Sequence, residues 1–395
     1  MHYIRFLSIP RIQVDRGTVL LKAVLTITTD LGETFYPEDL ELVATIRDPE
    51  HDGDIYLRRR IPWKGSTGAR SVPVKFDMSH QDVEWPACMH VSVANTKTSL
   101  SKPTGFLPPI VDVWSSTLNP TKGHMTASHR VQRRFTSSAE RDLVLEEDAG
   151  DSIARHLWDG SQVLAQHFDQ IISLQTPSPL PLLEYVLVSA TYRRLHVLEL
   201  GCGCGTVGLS LAQAVPDTDV VLTDLPDVRE LVESNISRLN PAMASRATFQ
   251  ALDWETLLPP TITNRTNDLI IVSECTYNTD TLLHLTNTLA ALVTRSPKAI
   301  IVVATKTRHE SEAQFFALMA QAGLIEDGRT RVRLPGLVGT GYGDGATDVG
   351  LHVFHGKSHR VSLSPRGSEE GVMQVRPGSA RSGRRKRGEG RSESE

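Results

Sequence analysis

Between Arg193 and Gly356, short and nearly uninterrupted apolar runs alternate with amphipathic stretches of 10–15 residues. The runs RRLHVLEL, DVVLT, ATFQAL, DLIIVS and AIIVVAT hold few polar side chains that could be turned to water. Strands made from them must be covered on both faces, the condition met inside a parallel sheet. Four stretches among them, TVGLSLAQAV, PDVRELVESNISRL, TDTLLHLTNTLAALV and ESEAQFFALMAQAG, have the length and spacing of helices. Strand, helix and next parallel strand join by a right-handed crossover. The pattern therefore predicts a doubly wound α/β sheet. RTRVRLPG and VGLHVFHG follow as an antiparallel hairpin at its edge, bringing the strands to seven.

The first 110 or so residues have a different period. Leu40, Leu42, Ala44 and Ile46 alternate with Glu41, Val43, Thr45 and Arg47, giving one apolar and one more polar face. Similar runs occur at Val19 to Thr29, Asp54 to Arg59, Val72 to Phe76 and His90 to Val93, with Gly, Pro and Asp between them. An antiparallel β-sandwich or barrel of five to seven strands is expected, with Trp63, Trp85 and Trp114 as core anchors. No catalytic constellation is visible in this part. Residues 115–141 are polar and weakly patterned and read as a linker. The segment from Leu143 leads into an amphipathic helix, with Leu157, Val163, Leu164 and Phe168 on one face. The expected organisation is a β-rich domain at 1–114, a linker at 115–141, the α/β domain at 142–356 and a tail at 357–395.

The charge balance narrows the partners. The net charge is −4. From Lys357 onward the chain holds ten Lys/Arg and five Asp/Glu, so the rest carries 32 basic against 41 acidic residues. An acidic body argues against a nucleic-acid-binding core. The tail is rich in Ser, Gly, Arg and Glu and is expected to be disordered. Its Arg384-Arg385-Lys386-Arg387 cluster reads as a nuclear-import signal, an acidic-partner contact or a solvated charge run. No apolar run reaches the ~18 residues of a membrane span, and the N-terminus lacks the pattern of a secretory signal. Four cysteines without a C-x-x-C pair suggest neither a disulfide framework nor a structural zinc site. The chain is expected to be a monomer, intracellular in the nucleus or cytoplasm, without metal.

Chemistry concentrates at Glu199-Leu200-Gly201-Cys202-Gly203-Cys204-Gly205-Thr206, between the first strand of the α/β region and its helix. Glycines let the backbone turn sharply and let a ligand come close, and the helix start offers unpaired N–H groups. Asp224 follows Gly203 by 21 residues, at the end of the second strand, where a carboxylate accepts hydrogen bonds from a ribose diol. A dinucleotide fingerprint would need Gly at the sixth position from Gly201, and Thr206 stands there. That disfavours a nicotinamide oxidoreductase, and no phosphate-binding GKS lysine is present.

Glu-x-Gly-x-Gly-x-Gly resembles the first motif of the seven-strand, Rossmann-like S-adenosylmethionine-dependent methyltransferases, whose ligand is cationic. Three further sites follow the same sheet: His156-Leu157-Trp158-Asp159-Gly160, Leu252-Asp253-Trp254 and Ser273-Glu274-Cys275-Thr276-Tyr277-Asn278. Together they are similar to protein-lysine methyltransferase family 16, within it to fungal relatives of methyltransferase-like protein 22, over roughly residues 143–355. The resemblance implies S-adenosylmethionine as cofactor and a non-histone protein as substrate. It implies that Trp158 packs on the cofactor, that Glu199, Gly201, Cys202 and Gly203 belong to the motif around its methionine and ribose, and that Asp224 holds the ribose. Trp254 with Asp253 would border the adenine, and Ser273 would face the reactive end. The family's Asp-x-x-Tyr appears as Glu274-Cys275-Thr276-Tyr277, one methylene longer with the carboxylate kept, and these two residues are the implied catalytic pair. A nucleic-acid or small-molecule N-methyltransferase shares the fold, but the Pro-Pro-aromatic motif usual in enzymes that methylate base amines is absent after the fourth strand. A non-catalytic scaffold is the remaining alternative. The β-domain is expected to help recognise a protein partner.

Overall fold

The computed structural model describes residues 1–50, 53–94, 105–149, 153–175, 177–189, 193–306, 313–335 and 348–357. The tail from residue 358, with its Arg/Lys cluster, lies outside them. One compact unit spans Met1–His359.

Among the described residues, its N-terminal part holds ten strands: β1 (His2–Asp15), β2 (Thr18–Thr28), β3 (Asp39–Arg47), β4 (Ile55–Lys64), β5 (Val72–Asp77), β6 (Cys88–Val93), β7 (Ile110–Val111), β8 (Val113–Ser115), β9 (Arg130–Thr136) and β10 (Asp142–Asp148). They form a four-stranded sheet, β5-β2-β1-β7, and a six-stranded sheet, β10-β9-β8-β6-β3-β4. Leu21, Ala23, Leu25 and Ile27 of one sheet share a core with Leu42, Ala44, Ile46, Ile61, Trp63 and Val91 of the other. This is a sandwich, and the alternation read from sequence selects the inward faces. Trp63 is fully buried, Trp114 is buried and Trp85 packs at the margin of the core.

Two features differ from the sequence reading. The sandwich has more strands than expected, and it takes up the polar stretch expected to be a linker: residues 115–141 contain the end of β8 and all of β9. Arg133 and Arg134 disguise β9, because both are buried. Arg133 pairs with Glu147 at 2.7 Å, and Arg134 lies over the Trp114 ring, 3.7 Å from its centroid. β1 escapes the period-two pattern because its register shifts between Phe6 and Ser8 and again between Ser8 and Arg11, so inward residues do not fall at every second position.

The α/β part begins with α1 (Asp159–Ile172) and α2 (Pro181–Ser189). It continues through β11 (Leu195–Leu200), α3 (Thr206–Ala214), β12 (Thr218–Asp224), α4 (Arg229–Arg238), β13 (Arg246–Ala251) and the short α5 (Pro260–Thr263). Then come β14 (Leu269–Ser273), α6 (Leu282–Arg295), β15 (Ile300–Thr305), α7 (Ala313–Gln321), β16 (Leu324–Arg333) and β17 (Asp348–Gly356). Seven strands pair in the order β13-β12-β11-β14-β15-β17-β16. The first five are parallel, and β17 is antiparallel to both neighbours. The final hairpin is thus inserted so that its second strand joins β15 and its first forms the edge. Chain direction around the sheet reverses between β11 and β14, which opens a crevice at their carboxyl ends. α1 buries Val163, Leu164 and Phe168, as its apolar spacing requires.

Candidate active site

The turn after β11 is shaped by three glycines with positive φ: Gly201 at 64°, Gly203 at 53° and Gly205 at 80°. L side chains rarely adopt this region. A Cβ on Gly201 would also come within 2.5 Å of Cys275 Sγ and 3.2 Å of Trp254 Cζ2. The loop is pinned by Cys202 N–H donating to Thr223 O (3.0 Å) and Gly205 N–H donating to Cys202 O (2.7 Å). Trp254 therefore stands against Gly201. Its buried Nε1 has no hydrogen-bond partner in the protein, an orphaned donor that a ligand atom can satisfy.

Asp224 closes the other side of the loop. Its Oδ2 accepts the Gly203 N–H at 2.8 Å and its Oδ1 the Leu225 N–H at 2.7 Å. Burial raises its pKa from the ordinary carboxylate value, against those two bonds. The carboxylate is held in one orientation beside the loop. Glu199 is directed elsewhere: its Oε2 accepts the N–H of Gly208 in α3 at 2.8 Å, and the side chain is buried. Burial, with Asp224 adding repulsion, pushes its pKa up to about 8. The geometry gives Glu199 the task of fastening α3 to β11.

Asp253 is exposed, and its Oδ1 accepts the Glu255 N–H at 2.9 Å, an Asx turn that sets up Trp254. Ser273, the last residue of β14, is buried and shares a 3.0 Å hydrogen bond with Ser161 Oγ of α1. Glu274 follows with φ of 57°, a left-handed conformation unusual for a non-glycine residue. Its N–H donates to Ala304 O at 2.9 Å. Its Oε1 accepts the Gly160 N–H at 2.9 Å, and a Cβ on Gly160 would stand 2.4 Å from that oxygen. The strained backbone is thus over-determined by β15 on one side and α1 on the other. Tyr277 is 55% exposed, with its phenol pKa raised by burial of the remainder. Trp158 is the extended residue that precedes α1, two positions from Gly160.

The structure brings some of the predicted residues together. Trp254 touches the Gly201 position, Asp224 holds Gly203, and Glu274 joins the first turn of α1, just past Trp158. Sequence reasoning missed Cys275, whose thiol packs on Gly201 with Sγ 3.6 Å from its carbonyl oxygen. It also missed the reason for Gly160, whose lack of a side chain admits Glu274. The signal for both was a small residue inside an already recognised motif. Burial pushes the Cys202, Cys204 and Cys275 thiols well above their ordinary pKa, which keeps them protonated and unreactive. Among the described residues, no group of three or more His, Cys, Asp or Glu side chains is placed to hold a metal.

Residues 137–322 match the family model described as lysine methyltransferase. A UPF0665 family protein of Schizosaccharomyces pombe is 28% identical over 320 residues, 80% of this chain and 92% of that protein. Mouse (Mus musculus) EEF1A lysine methyltransferase 3 is 27% identical over 164 residues, 42% of this chain and 60% of its own length. Calmodulin-lysine N-methyltransferase of Arabidopsis thaliana is 30% identical over 128 residues, 32% of this chain and 38% of its own. The chain thus spans less than two thirds of these last two relatives. Among solved structures, magnesium protoporphyrin IX methyltransferase from Synechocystis with bound S-adenosylmethionine aligns with a TM-score of 0.34 at 14% identity, covering 52% of this chain and 86% of that one.

Proposed function

We propose, on the premise that residues 137–322 are an S-adenosylmethionine-dependent catalytic domain of the lysine methyltransferase family, that the chain methylates a lysine side chain of a protein. The observation that carries this reading is Glu274, a carboxylate held on strained backbone at the carboxyl end of β14 and pointed by Gly160 N–H beside the glycine loop. Relatives named for lysine substrates agree with it.

The residues fit the cofactor. Gly201 and Gly203 give the loop its left-handed turn, with Trp254 packed against Gly201; Asp224 presents a ribose acceptor, Trp254 offers an aromatic face with an unused N–H, and the Glu274 carboxylate suits a cation. When bound, the cofactor would supply an electrophilic methyl carbon on sulfonium sulfur, whose S–C bond would break as the N–C bond forms, the electron pair staying on sulfur in the departing thioether.

The protein must orient an amine toward that carbon and keep water out. A free lysine has a pKa of about 10.4 and no lone pair while charged. Burial in the crevice beside another cation disfavours the ammonium form. Glu274 holds the amine in line and accepts its proton, so the nitrogen lone pair is free to form the new N–C bond. Tyr277, half-exposed at the rim, packs along the lysine stem. Among the described residues, no helix is long and apolar enough to cross a membrane. We further propose, from the sequence reading alone, that the protein acts inside the cell as a monomer.

The test separates binding from chemistry. Glu274→Gln should lower methyl transfer by about 10²-fold, the scale of losing a positioned acid–base group, and Tyr277→Phe by a smaller factor. S-adenosylhomocysteine affinity by calorimetry should stay within about twofold in both. Tritiated S-adenosylmethionine with undermethylated S. pombe extract supplies the assay, and protease should abolish the labelled product while nuclease leaves it. Normal turnover in both variants, or label confined to nuclease-sensitive material, would refute the assignment.

A further inference from the structure

The segment Leu157–Gly160 carries Trp158 and the N–H that points Glu274, and neither end of it is fixed by the α/β sheet alone. At Leu157 the backbone N–H donates to Glu147 Oε2 of β10 at 2.8 Å. Glu147 is fully buried; burial, the largest influence, favours its neutral form, but Arg133 of β9, His156 and the Arg5 charge together outweigh it and hold the carboxyl far below its ordinary pKa. Arg133 in turn donates to Ile4 O of β1 at 2.8 Å. At Asp159 the side chain is completely buried and meets the sandwich again. Tyr3 Oη donates to its Oδ1 at 2.8 Å, and Gln162 Nε2 donates to Tyr3 Oη at 2.6 Å. The Asp159 Oδ2 lies 2.8 Å from Lys306 Nζ and 2.9 Å from the α-amino group of Met1. Lys306, just past β15, also reaches Asp30 Oδ1 beyond the end of β2 at 3.2 Å.

We propose that the β-sandwich completes the active site, with Tyr3 and Asp30 as positioning residues, Tyr3 gripping Asp159 directly and Asp30 acting on it through Lys306, so that the first turn of α1 holds Glu274 and Trp158 in working geometry. The inference rests on the catalytic reading of Glu274. Buried ion pairs contribute little net stability, because desolvation offsets their attraction, but they fix one arrangement strongly, since stranding either partner is costly. Such a cluster, joining two sheets to one helix start, holds position rather than supplying a large stabilisation. This differs from the partner-recognition role expected from sequence: removing the sandwich would strip both grips from Leu157–Gly160.

Tyr3→Phe removes one hydroxyl from an otherwise unchanged core, and Asp30→Asn removes one charge. Each should slow methyl transfer to S. pombe extract by about tenfold, a modest share of the 10²-fold that about 1 Å of misplacement can cost. S-adenosylhomocysteine affinity should change far less. Amide exchange of the peptide 157–163, followed by mass spectrometry, should quicken while β14 and β15 stay protected. Placed in a Glu274→Gln background, Tyr3→Phe should cost almost nothing further, because both act on one carboxylate. Full activity in Tyr3→Phe and Asp30→Asn beside an impaired Glu274→Gln overturns the inference alone. An equal loss in both backgrounds does the same, since it marks a general effect on folding. Full activity in Glu274→Gln by itself overturns the catalytic reading, and the inference with it.

Discussion

Replacing Glu199 by Gln isolates a proton that the fold traps. The wild-type carboxyl is buried, accepts one N–H from Gly208 and has a pKa lifted to about 8 from an ordinary 4.5. The sign follows from proton counting. Between those two values the folded state keeps a proton that the unfolded state has released, so stability falls as pH rises through the window. At about 1.4 kcal/mol per pKa unit, the penalty relative to a neutral side chain is about 1 kcal/mol at pH 5.5 and about 4 kcal/mol at pH 7.5. Gln keeps an acceptor for Gly208 and never ionises. Urea unfolding of wild type and Glu199→Gln at both pH values should show the variant gaining about 3 kcal/mol relative to wild type as pH rises. The buried His2 changes stability in the opposite direction: burial lowers its pKa to about 4, so stability falls as pH drops below the unfolded value of about 6.5. That contribution is common to both proteins and cancels. Parallel pH profiles would refute the claim that Glu199 is held neutral to fasten α3.

Two further substitutions probe the loop and the sandwich. Gly201→Ala must place a methyl 2.5 Å from Cys275 Sγ on backbone with φ of 64°; S-adenosylhomocysteine affinity by calorimetry should fall by at least about tenfold, the equivalent of ~1.4 kcal/mol, and unchanged affinity would mean that the ligand does not approach this position. Trp63→Ala removes a fully buried indole from the shared core of the two β-sheets, and denaturant unfolding should show a loss of about 3–5 kcal/mol.

Much of this was readable without coordinates, for reasons that are local. The apolar runs from Leu195 to Thr305 had to become covered strands because they offered no polar face to water. The glycine triplet had to be a turn because positive φ costs glycine little. Asp224, Trp254 and Glu274 followed from their places at strand ends. What stayed hidden depends on residues that defy their usual environments. Arg133 and Arg134 read as solvent-exposed polar residues, yet they are buried because Glu147 and the Trp114 ring receive them. Glu199, expected to line the cofactor, turns toward Gly208 because α3 packs directly over β11 and offers it an N–H in a dry environment.

The chain's own pattern of hydrophobic period and glycine placement therefore determined the parallel sheet and its loop, since burial of apolar strands and freedom of φ are settled over a few neighbouring residues. The folded molecule alone decided that Tyr3, Asp30, Asp159 and Lys306 meet. They are up to 303 positions apart in sequence, and only the packing of two sheets against one helix start can bring their charges together out of water.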